Sequence, residues 1–324
     1  MLLRTITFLT ISGAAYAQLS GPVMGYLPDG SSLRAINGIP AASSVGPAVS
    51  GNRNLAQIQV APGQALALAT ADDNGQLVVA TLDANGQTLQ LTPVSGAAAG
   101  ANTIVFSPNG SAAATWVSSS GHLQILTGLT STASTTVAVQ DIDAKFAGGE
   151  PTAIAVSDDG LWAIGSFGGN NYAFGPGSQV ITLPVSGYAE AINFFHGKSD
   201  AAIMTGTQVV TIADIGGAAA TTVLWSLPAD APRNQPVAVG IAASADNAKL
   251  TIAADSGALF TFDMATGAGT PADCDCKPSG LSGVGGSVFR LNGVSAGVLK
   301  LFDAASNSVW FVPLGANVVS GGQQ

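Results

Sequence analysis

The sequence predicts an all-β fold, a β-propeller built from four-stranded antiparallel blades. First, a pattern that begins with isoleucine and ends in a tight turn recurs at intervals of 46, 50, 38 and 49 residues. That period suits a propeller blade, whose four strands occupy about 40–50 residues. Second, the segments between the turns are short and rich in β-branched residues, and none carries the apolar spacing of a crossover helix. Dividing the length of the chain by the mean interval favours seven blades, with six as the alternative.

The recurring turns supply the first strand boundaries of each repeat. They lie in residues 58–63, 104–110, 154–160, 192–197 and 241–247. Glycine and asparagine at their ends accept the positive φ of a tight turn, so each turn is predicted to join two strands of a hairpin. Further strands are predicted at residues 77–82, 123–127, 209–212, 259–262 and 309–312, where apolar and β-branched residues cluster. The four tryptophans fall in such segments and are interpreted as residues that pack between blades.

The two ends of the chain are predicted to complete the ring. Residues 21–49 contain the turn Pro28-Asp29-Gly30 but not the isoleucine pattern, and we interpret them as a partial first blade. The repeats extend from about residue 55 to residue 313, with 280–313 as the last blade. Closure is expected because an open ring would leave unpaired sheet edges at both ends.

The first 17 residues have the order of an export signal. Arg4 precedes an apolar stretch at residues 6–11, and Ala15-Tyr16-Ala17 forms an A-x-A cleavage site before Gln18. We therefore predict a signal peptide at 1–17, a single propeller domain at 18–324, and a secreted or periplasmic location.

Two of the turns also carry a family resemblance. Residues 106–110 (FSPNG) and 156–160 (VSDDG) resemble the turn between the first two strands of WD40, YVTN and TolB-type propeller repeats. The chain is similar to the divergent bacterial exported propellers, most of which have no assigned activity. The resemblance implies a fold and leaves the function open.

Composition excludes several classes of partner. The net charge is −9 and no basic cluster occurs, which argues against binding to nucleic acid or to anionic lipid. No run of eighteen apolar residues is present, so no membrane-spanning segment is predicted. With 47% hydrophobic residues and only 9% charged residues, the chain is expected to form a large core and to be a monomer.

Chemistry-bearing residues are few. The only histidines are His122 and His196, neither has an acidic neighbour in sequence, and no G-x-S-x-G or phosphate-binding glycine loop occurs. The pairs Asp72-Asp73 and Asp141/Asp143 lack the further oxygen ligands of a calcium loop. No catalytic residue, metal site or cofactor is therefore predicted, and enzyme activity is not expected.

The most unusual local feature is a pair of cysteines separated by one residue. Cys274 and Cys276 are predicted to form a disulfide that staples a loop, because free thiols tend not to persist in an oxidising compartment. A metal chelate and a redox pair are the alternatives, but a closed zinc site needs two more ligands and the C-x-x-C spacing is absent.

A ligand site is predicted at one mouth of the central channel, where the connectors between blades meet the turns between second and third strands. The candidates, each on such a loop, are Arg53, Glu150, Asn170, Asn171, Tyr172, Glu190 and Arg233. The functional interpretation is a polar mouth for a small ligand or a peptide. The alternative is that loops are simply the places that tolerate charge.

The sequence is compatible with three classes of function. The first is an exported, non-catalytic binding or scaffold module that recognises a protein or glycan partner through its loop face. The second is a hydrolase or lyase of the propeller type with its active site in the channel. The third is a structural, envelope-associated repeat protein. The scarcity of histidines and the lack of an acid cluster favour the first class over the second.

Overall fold

The structure is a computed structural model that describes residues 22–62, 66–82, 88–129, 137–226, 236–293 and 297–314. The predicted signal peptide and the candidate Arg233 lie outside these ranges. Within them the chain forms β-strands and two single turns of 3₁₀ helix, at Lys145–Ala147 and Pro176–Ser178. None of the helical segments in the described ranges has the length and apolar character needed to traverse a bilayer.

The strands form seven antiparallel sheets, in chain order. Blade 1 is β1 (Val23–Asp29), β2 (Ser32–Ile39) and β3 (Ala42–Val49). Blade 2 is β4 (Leu55–Val60), β5 (Ala67–Ala71), β6 (Leu77–Leu82) and β7 (Leu89–Pro93). Blade 3 is β8 (Thr103–Phe106), β9 (Ala112–Val117), β10 (His122–Thr127) and β11 (Ala138–Asp143). Blade 4 is β12 (Ala153–Val156), β13 (Ala163–Phe167), β14 (Asn170–Gly175) and β15 (Gln179–Ser186).

The remaining three blades follow the same order. Blade 5 is β16 (Ala189–Phe194), β17 (Ala201–Thr205), β18 (Gln208–Ala213) and β19 (Ala220–Ser226). Blade 6 is β20 (Ala238–Ala243), β21 (Lys249–Ala254), β22 (Ala258–Asp263) and β23 (Gly269–Asp273). Blade 7 is β24 (Ser282–Gly285), β25 (Val288–Arg290), β26 (Leu299–Asp303) and β27 (Ser308–Val312).

The first strand of each blade faces the central axis, and these inner strands close into a ring. β4, β8, β12, β16, β20 and β24 each lie against the next, and β1 contacts both β4 and β24. The predicted all-β propeller with seven blades is confirmed.

The core is divided among the interfaces between blades. In the described part of the chain each pair of neighbouring blades shares its own cluster of buried side chains. Between blades 3 and 4, for example, Phe167 and Phe174 are fully buried and Trp116 lies 5.3 Å from the Phe167 ring. Because both faces of a blade are covered by neighbours, central strands such as β5 and β13 are buried at every residue.

The recurring turn follows from hydrogen bonding within the motif. Ser157 Oγ donates to Asp159 Oδ1 at 2.6 Å and accepts the N–H of Trp162 at 3.0 Å. Gly160 has a φ of +66°, and a Cβ there would lie 2.2 Å from a methyl carbon of Thr127 in blade 3. Glycine is therefore required both by the backbone and by the neighbouring blade.

These turns, which join the first and second strands of the blades, also bind one another. The carboxylate of Asp158 in blade 4 accepts the N–H of Asn109 in blade 3 at 2.8 Å and the N–H of Gly197 in blade 5 at 2.7 Å. One side chain thus connects three blades.

The same kind of connection continues around the ring. The side chain of Asn247 in blade 6 accepts the N–H of His196 in blade 5 at 2.8 Å and donates to its carbonyl at 3.0 Å. The N–H of Ala245 then donates to the carbonyl of Gly286 in blade 7 at 3.0 Å. We call this chain of contacts, from blade 3 to blade 7, the turn girdle.

Blade 1 has three strands in the described residues, and the end of the last blade reaches its free edge. The N–H of Val45 on β3 donates to the carbonyl of Pro313 at 3.1 Å, and Val45 forms a parallel bridge with Leu314. The chain therefore passes from the outer strand of blade 7 directly onto blade 1.

Candidate ligand-binding face

The two ends of the ring differ in the loops that they carry. The turns between second and third strands and the connectors between blades lie at one end, which we call the upper face. The turns between first and second strands, including the turn girdle, lie at the other end, which we call the lower face. The sequence candidates other than Arg233, which lies outside the described residues, belong to loops or strand ends of the upper face.

Two of the candidate charges are engaged by the protein itself. Arg53 donates to Asp73 and Asn74, which lie in the turn of its own blade. The carboxylate of Glu190 in blade 5 accepts the N–H of Ala238 in blade 6 at 2.8 Å. Both side chains therefore hold upper loops in place, and their proposed contact with a ligand stays a prediction.

The three candidates of blade 4 were predicted to lie on a loop, but they form the start of β14, directly after the turn from β13, and they occupy different environments. Asn170 is exposed, whereas Asn171 is fully buried and donates to the carbonyls of Val185 and Gly187. Tyr172 is half-buried and lies edge-on to Phe146 at 5.8 Å. Asn171 thus ties β14 to the end of β15 and to the connector that follows, and Asn170 is the residue exposed to solvent.

Glu150 borders an open cleft of about 300 Å³ on the upper face, between blades 3 and 4. The cleft is bounded by the turn 118–121 of blade 3 and by the connector to blade 4, and Trp116 forms part of its wall. Trp116 is 3% exposed, and neither its Nε1–H nor the buried Oγ of Ser118 has a hydrogen-bond partner in the described part of the protein. We call this feature the Trp116 cleft.

Charged groups line the Trp116 cleft, and exposed aromatic rings lie on other connectors of the upper face. Lys145 and Glu150 both line it and are exposed, and neither side chain is paired with another described residue. Phe146 and Tyr188 are 59% and 60% exposed. The Tyr188 ring lies beside Gly169, in the turn between β13 and β14: a Cβ added to that glycine would be 3.8 Å from the ring. Buried donors without acceptors normally recruit water or a ligand, and the two residues that carry these groups line the cleft.

A histidine–aspartate pair was missed by sequence reasoning. Nδ1 of His122 lies 2.5 Å from Asp141, whose second carboxylate oxygen accepts from Gln124 at 2.9 Å. Gln124 Oε1 in turn accepts the N–H of Ala98 at 2.9 Å. Neighbours in sequence gave no sign of this pair, because residues 19 apart meet diagonally across β10 and β11. The contacts tie strands and a loop together.

The two cysteines form a disulfide in the loop between blades 6 and 7, with Cα atoms 5.1 Å apart. Cys274 is 1% exposed, and its carbonyl accepts from the ammonium of Lys300 at 3.0 Å. The carbonyl of Asp275 accepts from the same ammonium, which also lies 4.7 Å from the centre of the Phe311 ring. The stapled loop thus provides the acceptors for a buried cation.

Two further donors without acceptors lie between blade 7 and blade 1. Nη1 of Arg290 and Nε1 of Trp310 are buried and have no partner among the described residues, while Nη2 of Arg290 donates to Ser282 at 3.4 Å. The two side chains share one sheet face, on either side of Leu301. Burial lowers the pKa of Arg290 to about 10. Neither residue lines the Trp116 cleft.

In the described ranges no group of three or more His, Cys, Asp or Glu residues is arranged to hold a metal ion.

No protein-family model matches the chain, and no curated protein matches it in sequence. Among solved structures, the β-propeller domain of Myceliophteria thermophila Cps50 (Swd1), a WD40 propeller, is similar with a TM-score of 0.57 at 10% sequence identity. The alignment covers 88% of this chain and 97% of that domain. At this identity the likeness shows the fold alone.

Proposed function

We propose that the protein is an exported, monomeric and non-catalytic binding module that recognises a polar protein or glycan partner through its upper face. The observation that carries this proposal is the Trp116 cleft, lined by two residues whose buried indole N–H and buried hydroxyl have no hydrogen-bond partner among the described residues. A partner that supplies oxygen acceptors would satisfy both groups and remove the cost of leaving them unpaired.

The surroundings of the cleft extend the surface available to a partner. Lys145 and Glu150 offer one charge of each sign, Asn170 offers an exposed amide, and Phe146 and Tyr188 offer ring faces. Aromatic rings beside amides and charges suit contact with sugars or with peptide segments, because apolar area and directed hydrogen bonds act together.

The direct test is affinity capture with matched variants. We would immobilise the wild-type protein, Lys145→Ala in the cleft, and Lys198→Ala on a turn of the lower face, and expose each to an envelope extract of the source cells. A component retained by the wild type and by Lys198→Ala, but reduced at least tenfold by Lys145→Ala, is the expected result. Equal retention by all three proteins would contradict recognition at the cleft and would favour a purely structural envelope role.

A spectroscopic readout links the captured component to Trp116. With ¹⁵N-labelled tryptophan, the indole resonance that disappears in Trp116→Phe is assigned to Trp116. That resonance should shift on addition of the purified component, because its N–H gains an acceptor. A component that moves only the other indole resonances binds elsewhere.

Export is tested separately. The sequence Ala15-Tyr16-Ala17 predicts that the mature protein begins at Gln18. N-terminal sequencing of protein recovered outside the cytoplasm should read Gln18-Leu19-Ser20, and retention of Met1 in the cytoplasmic fraction would exclude export.

A further inference from the structure

The central channel opens at the lower face into a second cavity, of about 360 Å³. We call it the channel cavity. It lies where the inner strands of blades 2, 3, 5, 6 and 7 end, on the opposite side of the ring from the Trp116 cleft. Its volume falls in the range of small-molecule sites and equals the space of about 12 water molecules at ~30 Å³ each.

The lining of the channel cavity is apolar on one side and polar on the other. Phe106, Leu281 and Phe289 contribute apolar walls, and Asn193 and His196 contribute polar side chains. Among the described residues that line the cavity, none is Asp, Glu, Lys or Arg. A charged ligand would therefore lose its hydration without gaining a counter-ion, which is costly, whereas an uncharged ligand avoids that cost.

The imidazole of His196 is the group available to a ligand. The backbone N–H and carbonyl of His196 are both bonded to Asn247 in the turn girdle, so the residue is held at two points. Its ring nitrogens make no hydrogen bond to another described residue, and His196 lines the cavity. Because the turn girdle fixes the neighbouring turns, the site is preformed and a ligand need not order it.

We propose that the channel cavity is a binding site for a small uncharged molecule that has an apolar ring and a hydrogen-bonding edge. The ring lies against Phe106 and Phe289, and the polar edge meets His196 and Asn193. This site is independent of the upper face, so its test neither requires nor decides the proposed function.

The probe for this site is N-phenyl-1-naphthylamine, an uncharged aromatic amine whose fluorescence rises in apolar surroundings. Titration of the full-length protein should give saturable binding of one equivalent. His196→Ala should weaken binding at least fivefold and leave the melting temperature unchanged, because the contacts to Asn247 use the backbone. The same rings with a sulfonate, 1-anilinonaphthalene-8-sulfonate, should bind at least tenfold more weakly.

A cavity-filling variant with a matched control locates the probe. At Gly283, which lines the cavity, an added Cβ would meet its first neighbour, Pro62, only at 3.8 Å, so a leucine side chain there should enter the cavity. Gly283→Leu should reduce the affinity for the dye at least tenfold. Gly280 does not line the cavity, and a Cβ added there would meet no atom within 4 Å, so Gly280→Leu should leave the affinity unchanged.

Several outcomes would overturn the proposal. These are the absence of saturable binding, wild-type affinity in Gly283→Leu, an equal loss in both leucine variants, or equal affinity for the sulfonated dye. If Gly283→Leu fails to fold, the proposal is overturned when His196→Ala binds the dye as tightly as the wild type does, or when the sulfonated dye binds as tightly as the uncharged one.

Discussion

Removal of the Asp158 carboxylate tests whether the turn girdle holds the blades together. In Asp158→Ala the N–H groups of Asn109 and Gly197 lose acceptors at 2.8 and 2.7 Å. Hydrogen bonds to charged groups contribute about 1.5–3 kcal/mol each, but the carboxylate is half-exposed and water can replace it, so we expect about 1 kcal/mol per bond. The sum of about 2 kcal/mol corresponds to a fall in melting temperature of about 3 °C for a chain of this length.

Amide hydrogen exchange separates this effect from general destabilisation. The amides of Asn109 and Gly197, which lie in the two blades flanking the substitution, should both exchange faster, whereas Leu161, whose acceptor is Asp159, should keep its protection. Asp72→Ala is the control, because its carboxylate is exposed and contacts none of the described residues through a hydrogen bond. Unchanged exchange at Asn109 and Gly197 would refute the role assigned to Asp158.

Three other predictions concern stability. Lys249 donates to Asp263 at 2.8 Å and, with hydrogen bonds from Thr266, lowers the pKa of that carboxyl to about 2. The contribution of the carboxylate to stability is therefore complete above about pH 5 and is lost as the pH falls through about 2. The melting temperature of Asp263→Asn should vary less with pH over that interval, and parallel curves would contradict this. Arg290→Met should raise the free energy of unfolding, measured in urea, by about 1–3 kcal/mol, since it removes a buried donor without an acceptor. Replacing Cys274 and Cys276 by serine should lower it by about 1.6 kcal/mol, the loop-entropy value for a three-residue ring, and no change would mean that the staple adds nothing.

The sequence was informative wherever one residue type serves a local conformation. Gly160 ends a turn at positive φ, and Ser157 bonds within five residues of itself, so the motif repeats visibly along the chain and predicts the blade count. The strand predictions at residues 77–82 and 309–312 coincide with β6 and β27 to within a residue, because alternate apolar residues face neighbouring blades.

Contacts between blades could not be predicted in this way. Asp158 bonds to residues 49 and 39 positions away, and Glu190 to one 48 positions away, because the ring brings together residues about one blade apart. Glu190 was therefore interpreted as a channel-mouth group, although it accepts a backbone N–H of the next blade. Trp116 was interpreted as a packing residue, which is correct for its ring. Nothing local signals that its N–H lacks an acceptor, because that depends on where the turn 118–121 and the connector to blade 4 lie.

The bridge between Val45 and Leu314 affects the order in which the molecule can be completed. Blade 1 is synthesised first, yet the outer edge of β3 gains this partner only after residue 314 has been made. Until then none of the described residues covers the outer edge of β3, and other chains could pair with it. A polypeptide released before residue 313 is made would contain all seven sheets but would lack the contact of Pro313 and Leu314 with β3. Such fragments should self-associate more readily than the longer chain.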